Sequence, residues 1–139
     1  MTAFTVRVPR RRALHRSAFA ILAGLGTAVL LTHAADHVMH VAGIVPHYGR
    51  PVPDGLLLFA FAYRCLIAVL GCLVTAVLAP ARPLRHALIL GGIGTVLASL
   101  GAVAMWNHGP AWYPLALIAS AMPCAWLGGW IEERARASG

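Results

Sequence analysis

The sequence predicts an all-α fold, a four-helix transmembrane bundle. Three observations carry that prediction. Apolar residues make up 60% of the 139 positions and charged residues only 11%, with a mean hydropathy of +0.77. A soluble chain of this length could not hide that much apolar surface. The apolar residues gather in four stretches, about 17–44, 55–79, 86–106 and 112–131. Each is near the roughly 20 residues that cross a hydrocarbon core. The basic residues, finally, fall almost entirely into every second connection.

That charge pattern gives orientation. Arg7, Arg10, Arg11, Arg12 and Arg16 precede the first stretch, Arg82 and Arg85 separate the second from the third, and Arg134 and Arg136 follow the fourth. The two remaining connections hold only Arg50. Under the positive-inside rule both termini are expected in the cytoplasm, with consecutive helices antiparallel. The pI near 10.7 therefore reads as membrane topology, and no nucleic-acid partner is implied.

Residues 1–16 form a basic arm, expected to be irregular or to lie on anionic headgroups. A cleavable leader is the rival reading of this end, with an apolar run over 18–31 and a small-x-small site at Thr32-His33-Ala34. Apolarity resumes over 38–45, which favours a retained span. Residues 45–54 read VPHYGRPVPD, a proline-punctuated connection. Residues 79–85 and 106–112 are tight turns. A single domain over 17–132 is expected, followed by a short tail at 133–139. Pro123 is expected to kink the fourth span.

Small residues mark the expected helix contacts, since bundles in lipid pack through close backbone approach. Ala60, Ala68, Gly71 and Thr75 share one face of span two. Gly91, Thr95, Ala98 and Ala102 share one face of span three, which is rich enough in such residues to be placed centrally. Gly71, Gly91 and Ala98 are the main packing candidates. Trp106, Trp112 and Tyr113 at one interface and Trp126 and Trp130 at the other form an aromatic belt. Cys65, Cys72 and Cys124 lie within spans and read as small packing residues.

Two groups depart from the apolar pattern. His33, Asp36, His37 and His40 recur at i, i+3, i+4 and i+7, an arc of about 100° on one helix face. Imidazole and carboxylate at that spacing can converge on Zn²⁺ or another divalent transition ion, with further ligands from His47, Asp54 or His108. The competing reading is a wetted helix end. Arg64 lies near mid-membrane, where an arginine costs roughly 2.5–3.5 kcal/mol on insertion scales and needs a partner. Counting from the ends of spans one and two puts Asp36 and Arg64 at matching depth, so the two are expected to form a buried ion pair.

There is no phosphate-binding loop, nucleophile elbow, zincin helix or dinucleotide fingerprint. The stretch from Tyr63-Arg64 through Leu78-Ala79-Pro80, Arg82-Pro83 and Arg85-His86-Ala87-Leu88-Ile89-Leu90-Gly91, then Trp112-Tyr113-Pro114 and Pro123-Cys124-Ala125-Trp126-Leu127-Gly128-Gly129, resembles small four-span bacterial inner-membrane proteins. The likeness covers about residues 35–130. It implies an architecture and no activity. The function expected is that of a non-enzymatic, small transporter-like or accessory subunit acting through helix contacts. The alternative is metal or proton handling at the His/Asp cluster. Too few polar residues line the spans for a continuous pore, so transport would need a homo-oligomer or a larger membrane partner in the lipid bilayer.

Overall fold

The computed structural model describes residues 10–45 and 51–139. Within them are four α-helices and no strand: α1 (Arg10–Val41), α2 (Asp54–Leu78), α3 (Pro83–Ala104) and α4 (Trp112–Ser138). All four are long and apolar enough to cross a membrane. Large apolar side chains remain exposed along all of them, among them Leu30 at 72%, Leu66 at 67% and Val103 at 77%. Such an apolar exterior is what a hydrocarbon environment tolerates and water does not.

Helix ends follow local chemistry. α1 stops at Gly43, whose φ of +69° only glycine adopts without steric cost. The amide of Gly43 bonds the His40 carbonyl at 3.1 Å and that of Ile44 reaches the Met39 carbonyl at 3.1 Å, a Schellman ending. The first span therefore closes before residue 44. It opens earlier than expected too, because the basic arm is already helical from Arg10. At 32 residues α1 is roughly 48 Å long, more than a bilayer core requires. The tail likewise continues α4 to Ser138. Pro123 lies inside α4, which carries on through it. Pro83 occupies the first turn of α3, where its missing N–H costs nothing. Of the proline-rich connection, residues 46–50 lie outside the described residues, and His47 with them.

Packing is uneven. α2 lies against α1 on one side and α4 on another, and α4 is also paired along its length with α3. α1 touches α2 and, more lightly, α3, and makes no contact with α4 among the described residues. α3 touches all three other helices, and so does α2, whose contacts with α1 and α4 make it the more extensively packed of the two. The core is small: Cys72, Ala76, Ala87, Leu90 and Ala125. Gly71 and Gly91 sit where helices touch. A Cβ on Gly71 would stand 2.9 Å from both Ala28 Cβ and the Gly24 carbonyl, and one on Gly91 would strike Ala125. Gly128 and Gly129 behave alike, facing the backbone of α2 at Val69 and of α3 at Leu84. Ala98, by contrast, is only half-buried and borders a cavity.

Candidate functional site

Asp36 stands five residues before the end of α1, and Tyr63 and Arg64 are successive residues of α2. Arg64 Nη2 lies 2.6 Å from Asp36 Oδ2. The Tyr63 hydroxyl donates to the other carboxylate oxygen, Oδ1. The tyrosine ring is braced one turn back by Phe59, edge to face with centroids 5.8 Å apart. One carboxylate thus takes a charge-assisted bond from the guanidinium and a second from the phenol. Equal depth on neighbouring helices is what brings the two charges together. The pair is not sealed from its surroundings, since the side chains retain 32% (Arg64) and 39% (Asp36) exposure. The pair expected to be buried is half-buried, with two cavities beside it.

The first cavity, about 610 Å³, lies between α2, α3 and α4 and is touched by Thr32 of α1, with Leu57, Arg64, Gly101, Tyr113 and Leu117 in its wall. The second, about 840 Å³, is bordered by α1 and α2 and by His33, His37 and His40. Arg64 and Tyr113 belong to both walls. Arg64 Nε is buried and has no hydrogen-bond partner in the protein. A buried donor left in that condition costs about 1–3 kcal/mol.

The described residues do not assemble the metal site. Among them no three His, Cys, Asp or Glu side chains are grouped to hold an ion. Asp36 is committed to α2, and His33 Nδ1 is bonded to the Val29 carbonyl of its own helix at 2.9 Å. Asp54 accepts from Trp112 Nε1 at 3.2 Å, and His108 borders the other cavity. The periodicity that put His33, Asp36, His37 and His40 on one arc holds in the α1 helix, but among the described residues no second element delivers a ligand to it.

Two polar ties escaped the sequence. Arg136, near the end of α4, sends Nη2 to the carbonyls of Ala76, Val77 and Ala79 at 2.9, 3.1 and 3.2 Å. These belong to the last turn and C-cap of α2, where carbonyls run short of amides, although Ala76 also accepts from the Ala79 amide at 3.3 Å, and the positive charge suits that end of the helix dipole. Glu132 holds the guanidinium from the other side, 2.7 Å from Nε. Ser17 of α1 meets His86 of α3, Oγ to Nε2, at 2.9 Å. With His86 Nδ1–H donating to the Arg82 carbonyl at 3.1 Å, Nε2 is left to accept the serine proton. A tally of arginines could not have revealed the role of Arg136, because it depends on which helix ends beside it.

No protein-family model, curated protein or solved structure is measurably similar to the chain.

Proposed function

We propose that this chain is a non-enzymatic accessory or transporter-like subunit of a bacterial inner membrane, working through helix contacts within an oligomer or a larger assembly. One observation carries the reading. Among the described residues, the polar side chains that reach between helices are ties. They are Asp36 with Tyr63 and Arg64, Ser17 with His86, Trp112 with Asp54, and Arg136 with the end of α2. None of these groups has the nucleophile, base and orienting partner that chemistry requires. An up-down bundle with both termini in the cytoplasm accords with these ties and with the arginine distribution.

Two experiments test the reading. Reporter fusions at Gly49 and Gly139 should place the former in the periplasm and the latter in the cytoplasm, and a periplasmic Gly139 contradicts the orientation. Cross-linking in native membranes at natural abundance should give a discrete multiple of the chain, or a fixed partner at constant ratio. A cross-link-free monomer contradicts the accessory role.

A further inference from the structure

Helix contacts alone need no cavity, yet the bundle holds one of about 610 Å³ between α2, α3 and α4, with Thr32 of α1 at its edge. Its volume falls within the range of small-molecule sites, roughly 300–1,000 Å³. Its wall is largely apolar, with Leu57, Leu97, Met105 and Leu117 among its members. Beside Leu97, part of the α3 side is smooth, because Gly94, Ala98 and Gly101 offer nothing beyond a methyl group. A Cβ added at Gly94 or Gly101 would meet no atom within 4 Å, so open space lies over that wall. Arg64 and the phenol of Tyr113 stand in the same wall as hydrogen-bond donors, together with Thr32, His108 and Ser120, the last already bonded to the Leu117 carbonyl.

The charge balance selects the ligand class. Asp36 lies 2.6 Å from Arg64 and offsets its charge, so an anion entering here would gain little from the arginine and be repelled by the carboxylate. A cation would meet the guanidinium. What Arg64 has to offer is a donor, since the bond to Asp36 comes from Nη2, the guanidinium carries five N–H groups, and the residue lies in the cavity wall. A neutral oxygen acceptor fits that group without disturbing the ion pair. The flat glycine wall favours a planar body over a branched one.

We propose that this cavity binds a neutral, planar, carbonyl-bearing amphiphile of the quinone type, one ring oxygen accepting from Arg64 and the other from Tyr113, with the apolar tail along Leu97, Met105 and Leu117. The site lies beyond the accessory role and does not depend on it. No electron transfer is part of the proposal.

The test uses the full chain purified in detergent micelles and a decyl-tailed benzoquinone as probe, read by quenching of tryptophan fluorescence. Three proteins are compared: wild type, Gly101→Leu, which fills the cavity from a position with free space, and Gly92→Leu, which also has free space but lies outside the cavity wall. Wild type and Gly92→Leu should bind one probe per chain with equal affinity, and Gly101→Leu should bind at least tenfold more weakly. Arg64→Lys, which keeps the charge beside Asp36 but lacks the guanidinium fork, should weaken binding without loss of folded protein. Equal quenching in wild type and Gly101→Leu overturns the site. Displacement of the probe by an equal concentration of a diacyl ester lipid overturns the ligand class, because the cavity would then be a place for bilayer lipid.

Discussion

The two halves of this bundle are built on opposite principles. In the half that holds Ser17, Ala76, Ala87 and Gly129, helices meet backbone to backbone. Almost every fully buried residue lies there, and nearly all are Gly, Ala, Cys or Thr. In the half that holds Asp36, Arg64, Ala102 and Tyr113, long side chains stand between the helices, two cavities remain, and the polar cluster is half exposed. Close packing through small residues needs no polar glue in lipid. Where an arginine and a carboxylate enter the same space, the helices are held apart and the bond between the two charges does the joining. The difference teaches where each half can change: the closed half tolerates no added volume, and the open half tolerates volume but not an unpaired charge.

The largest effect should come from adding volume to the closed half. Gly128→Val places a side chain against the Val69 carbonyl at 2.7 Å and the Leu73 amide at 2.9 Å, atoms that cannot swing aside. A loss of roughly 3 kcal/mol, measured by denaturant titration in micelles, is expected. The matching change in the open half, Gly101→Leu, should cost less than about 0.5 kcal/mol. Equal losses would erase the contrast.

Next is the charge pair. Asp36→Asn and Arg64→Gln should each lower stability by about 1–2 kcal/mol, less than a fully buried pair loses because both groups keep about a third of their exposure. The double variant should recover part of the loss, since no charge is left alone. Strictly additive losses would mean that the pair does not join α1 to α2.

Arg136→Ala follows, with a loss of about 1 kcal/mol as three carbonyls of α2 lose their cap. Thr75→Val should act in the opposite direction. Thr75 is fully buried against Gly24, and its hydroxyl bonds no acceptor in the protein. Removing that hydroxyl without changing the side chain's shape should be neutral or stabilising by up to about 1 kcal/mol. A clear destabilisation would show that the hydroxyl is satisfied.

The sequence made the helices legible because hydrophobic length is a property of the chain alone: four apolar stretches became four helices, with ends displaced where a cap or a polar helical extension decides. The cap at Gly43 needed its φ, and the helical start at Arg10 competes with a charge-based reading of the same residues as an irregular arm. Asp36 and Arg64 could be matched because depth along two neighbouring helices is simple arithmetic. Tyr63 was adjacent to Arg64 and went unread, since a tyrosine in a span has many uses and only the position of Asp36 selects one. The imidazoles of α1 mark the limit of such reading. Periodicity reports which residues share a face, not whether another helix completes the shell.

The three native cysteines allow the contrast between the halves to be measured in one experiment. Cys65 is half-buried and borders the first cavity, whereas Cys72 and Cys124 retain only 5% and 8% exposure. Labelling the folded protein in membranes with a small, membrane-permeant methanethiosulfonate, followed by mass spectrometry of peptides, reports each thiol separately. Cys65 should be modified while Cys72 and Cys124 stay protected until the protein is denatured. Modification of Cys72 as fast as Cys65 would contradict it, because the half described here as closed would then be open.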